Sequence, residues 1–571
     1  MNVTTDHNPK NRPQVALFSM EVGMDNNIPT YSGGLGVLAG DILRSCADLN
    51  VPIVGITLAC NKGYLTQRLD EDGNQTEFPV DWRIDDFTNL MAPKVSVPIS
   101  GRQVKIQAWE YIINGIEGHQ VPVYLLDTNL YENDDSDRGI TFHLYGGDQR
   151  YRLTQEIVLG IGGVRMLKAL GHDIQCFHMN EGHSALVSLE LIKRMREEND
   201  GYTIEHIIDL VKGKCIFTTH TPVPAGHDKF NSSLVKELLG SYLDGFDMKR
   251  ICHEEVLNMT LLALDHSEHI NGVAKKHGEI SRSMFPGYPI SSITNGVHHI
   301  FWTSEPFREL YDRAIPGWRR DPFNLRYILS VKREGIVKAH EEAKQDMIDL
   351  INTNNRILLD YDVFTIGFAR RMTKYKRPDL IFTDPGRLIE ISKNVGPIQI
   401  VFAGKSHIKD GVGKDLIRKI FSVIKSLKHD IKIVFLQNYD MELAKSITSG
   451  VDLWLNTPKS PNEASGTSGM KATFNGIPSL SILDGWWVEG CIEGITGWTI
   501  GPDSREVSIE ESCDSTDAEY LYKKLERVIL PKYYKDYDSW AEVMQYVIAF
   551  NSSFFNSHRM VQQYLLNAYC I

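Results

Sequence analysis

Short apolar runs, each closed by a glycine turn or a helical stretch, recur along this chain, and that alternation limits its fold more than any other feature. Four stand in the second half: Phe364–Ala369, Ile398–Ala403, Ile431–Leu436 and Val451–Leu455. Runs this short and this apolar suit strands of a parallel sheet with helices on both faces. The first half repeats the style. Val15–Ser19 reads as a strand, Tyr31–Gly36 as a glycine-rich turn, 37–49 as a helix and Val51–Ile56 as the next strand. Residues 60–140 read as hairpin insertions, with turn signals at Lys62-Gly63, Asp72-Gly73 and Asn114-Gly115. Helix and strand resume at Leu153–Leu170, Cys176–Met179 and Cys215–Thr219. The pattern predicts an α/β fold of two doubly wound, Rossmann-like domains facing a central cleft. At 571 residues the chain exceeds one ordinary domain. The expected divisions are 1–300, 301–545 and 546–571, the last carrying a helix at Met560–Tyr569 that returns to the first domain.

A net charge of −12 argues against a nucleic-acid or anionic-membrane partner and leaves a neutral polysaccharide open. No apolar run is long enough to span a bilayer. The N-terminal MNVTTDHNPKNRPQ lacks the apolar core of a signal peptide. Eight scattered cysteines, with no CxxC pair, read as reduced thiols of a cytoplasmic protein.

The segment Pro461–Gly490, PNEASGTSGMKATFNGIPSLSILDGWWVEG, places one lysine, Lys471, where a loop of small residues leads into a helix near Ser468. Backbone N–H groups in such a loop, with the positive end of a helix, can face an anion. A lysine there is what a pyridoxal-phosphate enzyme requires: an amine for a Schiff base beside a phosphate cradle. A solvated lysine in a Gly/Ser loop is the plain alternative. Gly33-Gly34-Leu35-Gly36 offers a second backbone cradle between strand and helix, and it is not a dinucleotide fingerprint. Arg370–Arg377, ARRMTKYKR from Ala369, follows a core strand, where a ligand site is expected. Arginine forks and lysines suit phosphate, although five cations in eight residues also make a solvated helix face. His178-Met-Asn-Glu-Gly-His183 misses both zinc-protease spacings, and no metal is expected. Gly404-Lys405-Ser406 and Gly413-Lys414 lack P-loop register. Trp486 and Trp487 read as core rather than as a sugar platform.

EASGTSGMK, followed by FNG and LDGWW, resembles the cofactor-lysine signature of the α-glucan (glycogen, starch, maltodextrin) phosphorylases. The wording NTP-x-x-P-x-EASGTSGMK is similar to their compact bacterial and archaeal type, and the likeness covers most of the chain from Phe18 onward. The resemblance implies the two-domain GT-B glycosyltransferase architecture and pyridoxal 5′-phosphate as cofactor. It also implies roles. Lys471 tethers the cofactor, and Thr467, Gly466, Tyr439, Tyr375 and Arg370 surround it. Arg371 and Lys376 hold the substrate and cofactor phosphates. His220, in Phe217-Thr-Thr-His220-Thr-Pro222, contacts the glucosyl unit through its carbonyl. Gly33, Gly34, Asn295, Glu463 and Ser465 line the sugar and phosphate pocket. Thr373 and Lys374 depart from the animal enzymes' wording, and Asp440 stands where a basic residue is common, so that role is not carried over.

The implied reaction is reversible phosphorolysis of α-1,4-glucan (glycogen, starch or maltooligosaccharide) by inorganic phosphate to α-glucose 1-phosphate, with retention at the anomeric carbon. Segments that carry allosteric control in the large animal enzymes have no evident counterpart here. A homodimer is expected from the family. Two other readings stay open: a nucleotide-sugar glycosyltransferase of the glycogen-synthase type, and a silent glucan-binding protein on the same fold. The synthase type often has E-x7-E at this site, whereas here Glu463 is followed eight positions later by Lys471.

Overall fold

The computed structural model describes residues 14–252, 254–502 and 513–569; the polar stretch 1–13 read above lies outside them. Two sheets organise the chain. The first has ten strands. Its parallel part runs in the order Ile290–Ser292, His269–Gly272, Cys215–Thr218, Cys176–Asn180, Val15–Phe18, Ile53–Leu58 and Gln120–Asp127. Antiparallel strands between 89 and 114 extend the last edge. The second sheet has six strands, all parallel: Lys432–Leu436, Ile398–Ala403, Phe364–Ala369, Leu453–Asn456, Ser479–Ile482 and Gly497–Ile500.

Counted along the chain, the second sheet has the order 3-2-1-4-5-6, and the parallel strands of the first follow the same rule. In that order the connections leave strands 1 and 4 towards opposite sides. A crevice therefore opens beyond their carboxyl ends, where open α/β sheets bind ligands.

Local sequence explains how tightly the helices lie on these sheets. The helix expected at 153–170 forms as Gln149–Ile157 and Gly163–Ala169, joined by a π-helical turn at Val158–Gly162. A Cβ at Gly163 would stand 2.7 Å from the Phe18 ring, so only glycine lets the helix settle at that depth. The helix expected at 37–49 starts three residues earlier, as Gly34–Asp48. The last helix is Ser557–Asn567, because the Asn556 side chain accepts the Arg559 N–H at 2.8 Å and caps it there. It packs on Gly34–Asp48, with the Ser45 and Ser557 hydroxyls 2.6 Å apart and Val561 and Tyr564 buried among Val15, Ile42 and Leu43.

The hairpin Thr66–Leu69/Gln75–Phe78 reaches across to the second sheet. Gln67 Nε2 donates to the Gly404 carbonyl at 3.0 Å and Gln75 Nε2 to that of Ser406 at 2.8 Å. Trp486 and Trp487 are buried, as read from the sequence, with Trp486 edge-on to Phe555. Among the described residues no helix is long and apolar enough to cross a membrane.

Candidate active site

Strands Phe364–Ala369 and Leu453–Asn456 are neighbours at the reversal point of the second sheet, so the loops that follow them meet. Arg370 Nη2, at 2.8 Å, and Lys376 Nζ, at 2.5 Å, donate to the same carboxylate oxygen of Glu463, and Arg370 also donates to Asn456. All three charged side chains are buried. Burial pushes the Glu463 carboxyl up, but Arg370 and Lys376 together outweigh it and hold the group down at about 2. The backbone N–H of Glu463 donates to Asp484 Oδ2 at 2.8 Å, and Asp484 Oδ1 accepts the Gly485 N–H at 2.9 Å. Burial, with the Glu463 charge nearby, raises Asp484 to about 7. Lys376 Nζ lies 4.5 Å from the Tyr375 ring centroid, and the Tyr439 phenol, raised by burial, sits within the field of Arg370.

Lys471 lies on the short helix Ser468–Thr473 and is buried. Its Nζ stands 3.8 Å from the Trp302 ring centroid, and Trp302 Nε1 donates to Asp41 Oδ2 at 2.8 Å. Burial lowers the amine to about 8, against the partial counter-pull of Asp41. A lysine tuned this way keeps a reactive neutral fraction at physiological pH.

The first sheet repeats the construction with different chemistry. After strand Val15–Phe18 comes Glu21. Its Oε2 accepts the Ser32 N–H at 2.6 Å and the Gly33 N–H at 3.2 Å, and its Oε1 accepts the Tyr145 hydroxyl at 2.8 Å. After strand Cys176–Asn180 comes Glu181, held in the left-handed region at φ 76°, a strained conformation for glutamate. Its Oε2 accepts the His220 N–H at 2.7 Å and the Thr221 hydroxyl at 2.9 Å. His220 Nε2 donates to Asn180 Oδ1 at 2.7 Å, and burial lowers this imidazole to about 3, so it is neutral. The two constructions abut. A Cβ at Gly34 would stand 3.9 Å from Thr467 Oγ1, and the Met441 N–H donates to the Tyr31 hydroxyl at 3.1 Å.

A family profile described as carbohydrate phosphorylase matches residues 245–498. A maltodextrin phosphorylase from Thermococcus litoralis is 38% identical over 98% of this chain and 70% of its own length. A glycogen phosphorylase from Aquifex aeolicus is 35% identical over 100% of this chain and 88% of its own. An uncharacterised protein from Methanocaldococcus jannaschii is 32% identical over 97% and 99%. The chain belongs to the carbohydrate phosphorylase family.

Within this phosphorylase the residues singled out from sequence fall into two groups. Arg370, Lys376, Glu463, Tyr375 and Tyr439 come together, and Gly34 meets Thr467, beside Lys471. Arg371 stands apart. It is exposed, and its charge is felt by Tyr64 and His407, whose rings lie 6.0 Å apart. Asn295 is buried near the last helix, its carbonyl accepting from Arg559 Nη2 at 2.9 Å while its Oδ1 has no partner. Ser465 turns its carbonyl to the Trp486 N–H at 2.8 Å, and Gly466 takes the φ of 76° that this tight turn needs. The Gly33 amide, expected to be open to phosphate, is engaged by Glu21 instead.

Sequence reasoning passed over Glu21, Asp484, Asp41 and Trp302, and weighed Glu181 only as part of the His178–His183 motif, where it set a metal aside. Glu21 and Glu181 each stand just after a core strand, at its carboxyl end, and that position was the available signal. Trp302 and Asp41 carry none, because only the fold brings them to Lys471.

Proposed function

We propose that this phosphorylase cleaves α-1,4-glucans by reversible, configuration-retaining phosphorolysis, yielding α-glucose 1-phosphate, with pyridoxal 5′-phosphate as cofactor. The two sheets form two doubly wound domains of GT-B type, divided near residues 300 and 545, and the reaction occupies the cleft between them. The observation that carries this reading is Lys471: a buried amine, lowered to about 8, under Trp302 and next to a loop that pairs Glu463 with Arg370 and Lys376.

These residues fit the cofactor. Lys471 would tether it, Thr467 and Gly466 would offer short donors, and Arg370 and Tyr439 would flank it. When bound, pyridoxal phosphate supplies a phosphate that exchanges a proton with the substrate phosphate. Everything else falls to the chain. Lys376 and Arg371 hold the incoming phosphate, with Lys376 leaving Glu463 partly free to accept a sugar hydroxyl. The Gly33-Gly34 turn, kept in shape by Glu21, packs the sugar side. His220, fixed as a neutral ring by Asn180 and Glu181, presents its backbone to the glucosyl unit. Two large polar walls, closed by the 66–78 hairpin, exclude water so that these charges act at full strength. The protein is cytoplasmic and works as a homodimer on this reading.

Purified protein, assayed on maltooligosaccharides of graded length with phosphate and with or without added pyridoxal phosphate, tests it. Phosphate-dependent release of glucose 1-phosphate that rises with cofactor is the expected result. Protein that takes up no pyridoxal phosphate and releases no glucose 1-phosphate overturns the reading.

A further inference from the structure

Away from the cleft, three histidines gather where distant segments meet. His298 and His299 begin the helix His299–Trp302, and His558 lies on the last helix. Each offers a ring nitrogen, and these atoms all lie within 4.8 Å of one another in a buried setting. The carboxylate of Asp48, at the end of helix Gly34–Asp48, stands 2.8 Å from His298 Nε2 and 3.1 Å from His558 Nε2.

The hydrogen bonds assign the protons. His298 Nδ1 accepts the Phe301 N–H at 3.1 Å, so its Nε2 carries the proton given to Asp48. His299 Nε2 donates to the Arg319 carbonyl at 2.8 Å, and His558 Nε2 donates to Asp48. The Nδ1 atoms of both His299 and His558 then keep a lone pair and make no hydrogen bond of ordinary geometry, although the Arg320 backbone also lies beside the His558 ring. Single unpaired ring nitrogens occur elsewhere in this fold, at His183, His227 and His340. Here two share one cluster, each on a ring whose other nitrogen is steered by a carbonyl or carboxylate, as in histidines oriented for a metal.

We propose that this cluster binds one divalent transition ion of the zinc class, with a ring nitrogen from each of His298, His299 and His558 as ligands and a solvent molecule as the fourth. Three imidazoles favour zinc, cobalt or nickel over calcium or magnesium. Asp48 keeps the His558 Nε2–H and orients that ring without touching the ion. Coordination through His298 Nε2 moves that ring's proton to Nδ1 and releases its bonds to Asp48 and Phe301, with no net change in protons. Tetrahedral zinc–nitrogen geometry sets nitrogens about 3.4 Å apart, so the rings close in by about an ångström on binding. The ion would staple the start of the helix His299–Trp302 to the last helix of the chain. Trp302, three residues after His299, lies against Lys471, so occupancy would also reach the lysine's surroundings. The site does not depend on the phosphorolysis reading.

The test uses the full chain, stripped with chelator and then given zinc or cobalt(II). One ion per chain by elemental analysis, a visible absorption band typical of four-coordinate cobalt, and a zinc-dependent rise in Tm are expected. H299Q and H558Q, and the pair together, should lose the cobalt band and the zinc response. If a histidine variant fails to fold, the stripped wild-type titration still decides. Wild-type protein that holds no stoichiometric ion and shows no zinc-dependent Tm shift overturns the proposal. So does a cobalt band that survives in the double variant.

Discussion

The two sheets carry the same device, a strand, a short loop and a helix at the point where strand order reverses, yet they fill it with opposite chemistry. In the first sheet a carboxylate, Glu21, is held by backbone N–H groups and by serine and tyrosine hydroxyls, and among the described residues no cation touches it. In the second, Glu463 is held by Arg370 and Lys376, with a buried amine nearby. Neutral donors on one wall suit sugar hydroxyls, and paired cations on the other suit phosphate. On the function proposed above, the difference divides the labour of the cleft: the first wall would shape the glucan, and the second would gather the anions. Each variant below tests whether that division holds.

Lys471→Ala should have the largest effect. The second wall loses the amine proposed to tether the cofactor aldehyde, so purified protein should retain no pyridoxal phosphate by absorbance. Activity should fall by roughly 10³-fold or more, the scale of losing a major stabiliser of the reacting charges. Retained cofactor in this variant would break the comparison at its centre, since the lysine would then be an ordinary buried residue.

Lys376→Met comes next. Removing one cation leaves Glu463 buried with half its neutralisation, and breaking such a pair costs about 3–5 kcal/mol of stability. kcat/KM for phosphate should drop by about 10²-fold. Adding Glu463→Gln to Lys376→Met should restore most of the stability but not the phosphate use. A double variant as unstable as the single one would show that the ion pair is not what holds this loop. Arg371→Ala, at an exposed position, should raise the KM for phosphate about 10-fold and leave the unfolding midpoint unchanged.

Much of this was legible in the chain. The buried strands, the hairpin insertions and the loops at the carboxyl ends of core strands followed from apolar spacing and glycine punctuation, because parallel strands must be apolar on both faces; the order of the strands did not. The motif around Lys471 carried the cofactor expectation. What stayed hidden is contact across long separations. Glu463 reads as a lone acid in a Gly/Ser loop, and only the adjacency of strands Phe364–Ala369 and Leu453–Asn456 sets it against Arg370 and Lys376. The Gly33 turn reads as an open cradle because nothing local tells that Glu21, twelve residues earlier, folds back to fill it. Helix ends shifted by one to four residues for a similar reason: the Asn556 cap and the glycine-lined contacts are decided by packing rather than by periodicity.

The second wall should also show in acid. Glu463 has an ordinary value of 4.5 and is held at about 2 in the fold. A depressed carboxyl contributes stability that is complete above its unfolded value and fades as pH falls through the folded one. The contribution is on the order of 3 kcal/mol at neutral pH. Wild-type protein should therefore lose urea resistance between about pH 5 and about pH 2 more steeply than Glu463→Gln does. Parallel curves would mean that the pairing with Arg370 and Lys376 persists in the unfolded chain or contributes nothing.

Glu21→Gln should have the smallest effect, and it separates the walls most finely. Glutamine keeps one carbonyl oxygen for the Ser32 and Gly33 amides but loses the charge that makes those bonds strong, a difference of about 1–2 kcal/mol. The turn should loosen, and the KM for maltooligosaccharide should rise about 10-fold, while the KM for phosphate stays within about twofold. The amides that Glu21 now occupies would in the variant be freer to meet an anion. If phosphate binding tightens instead, the glycine turn is a latent anion site that Glu21 keeps closed, and the first wall is less neutral than its donors indicate. If both constants rise together, Glu21 holds the two walls in register rather than shaping one of them.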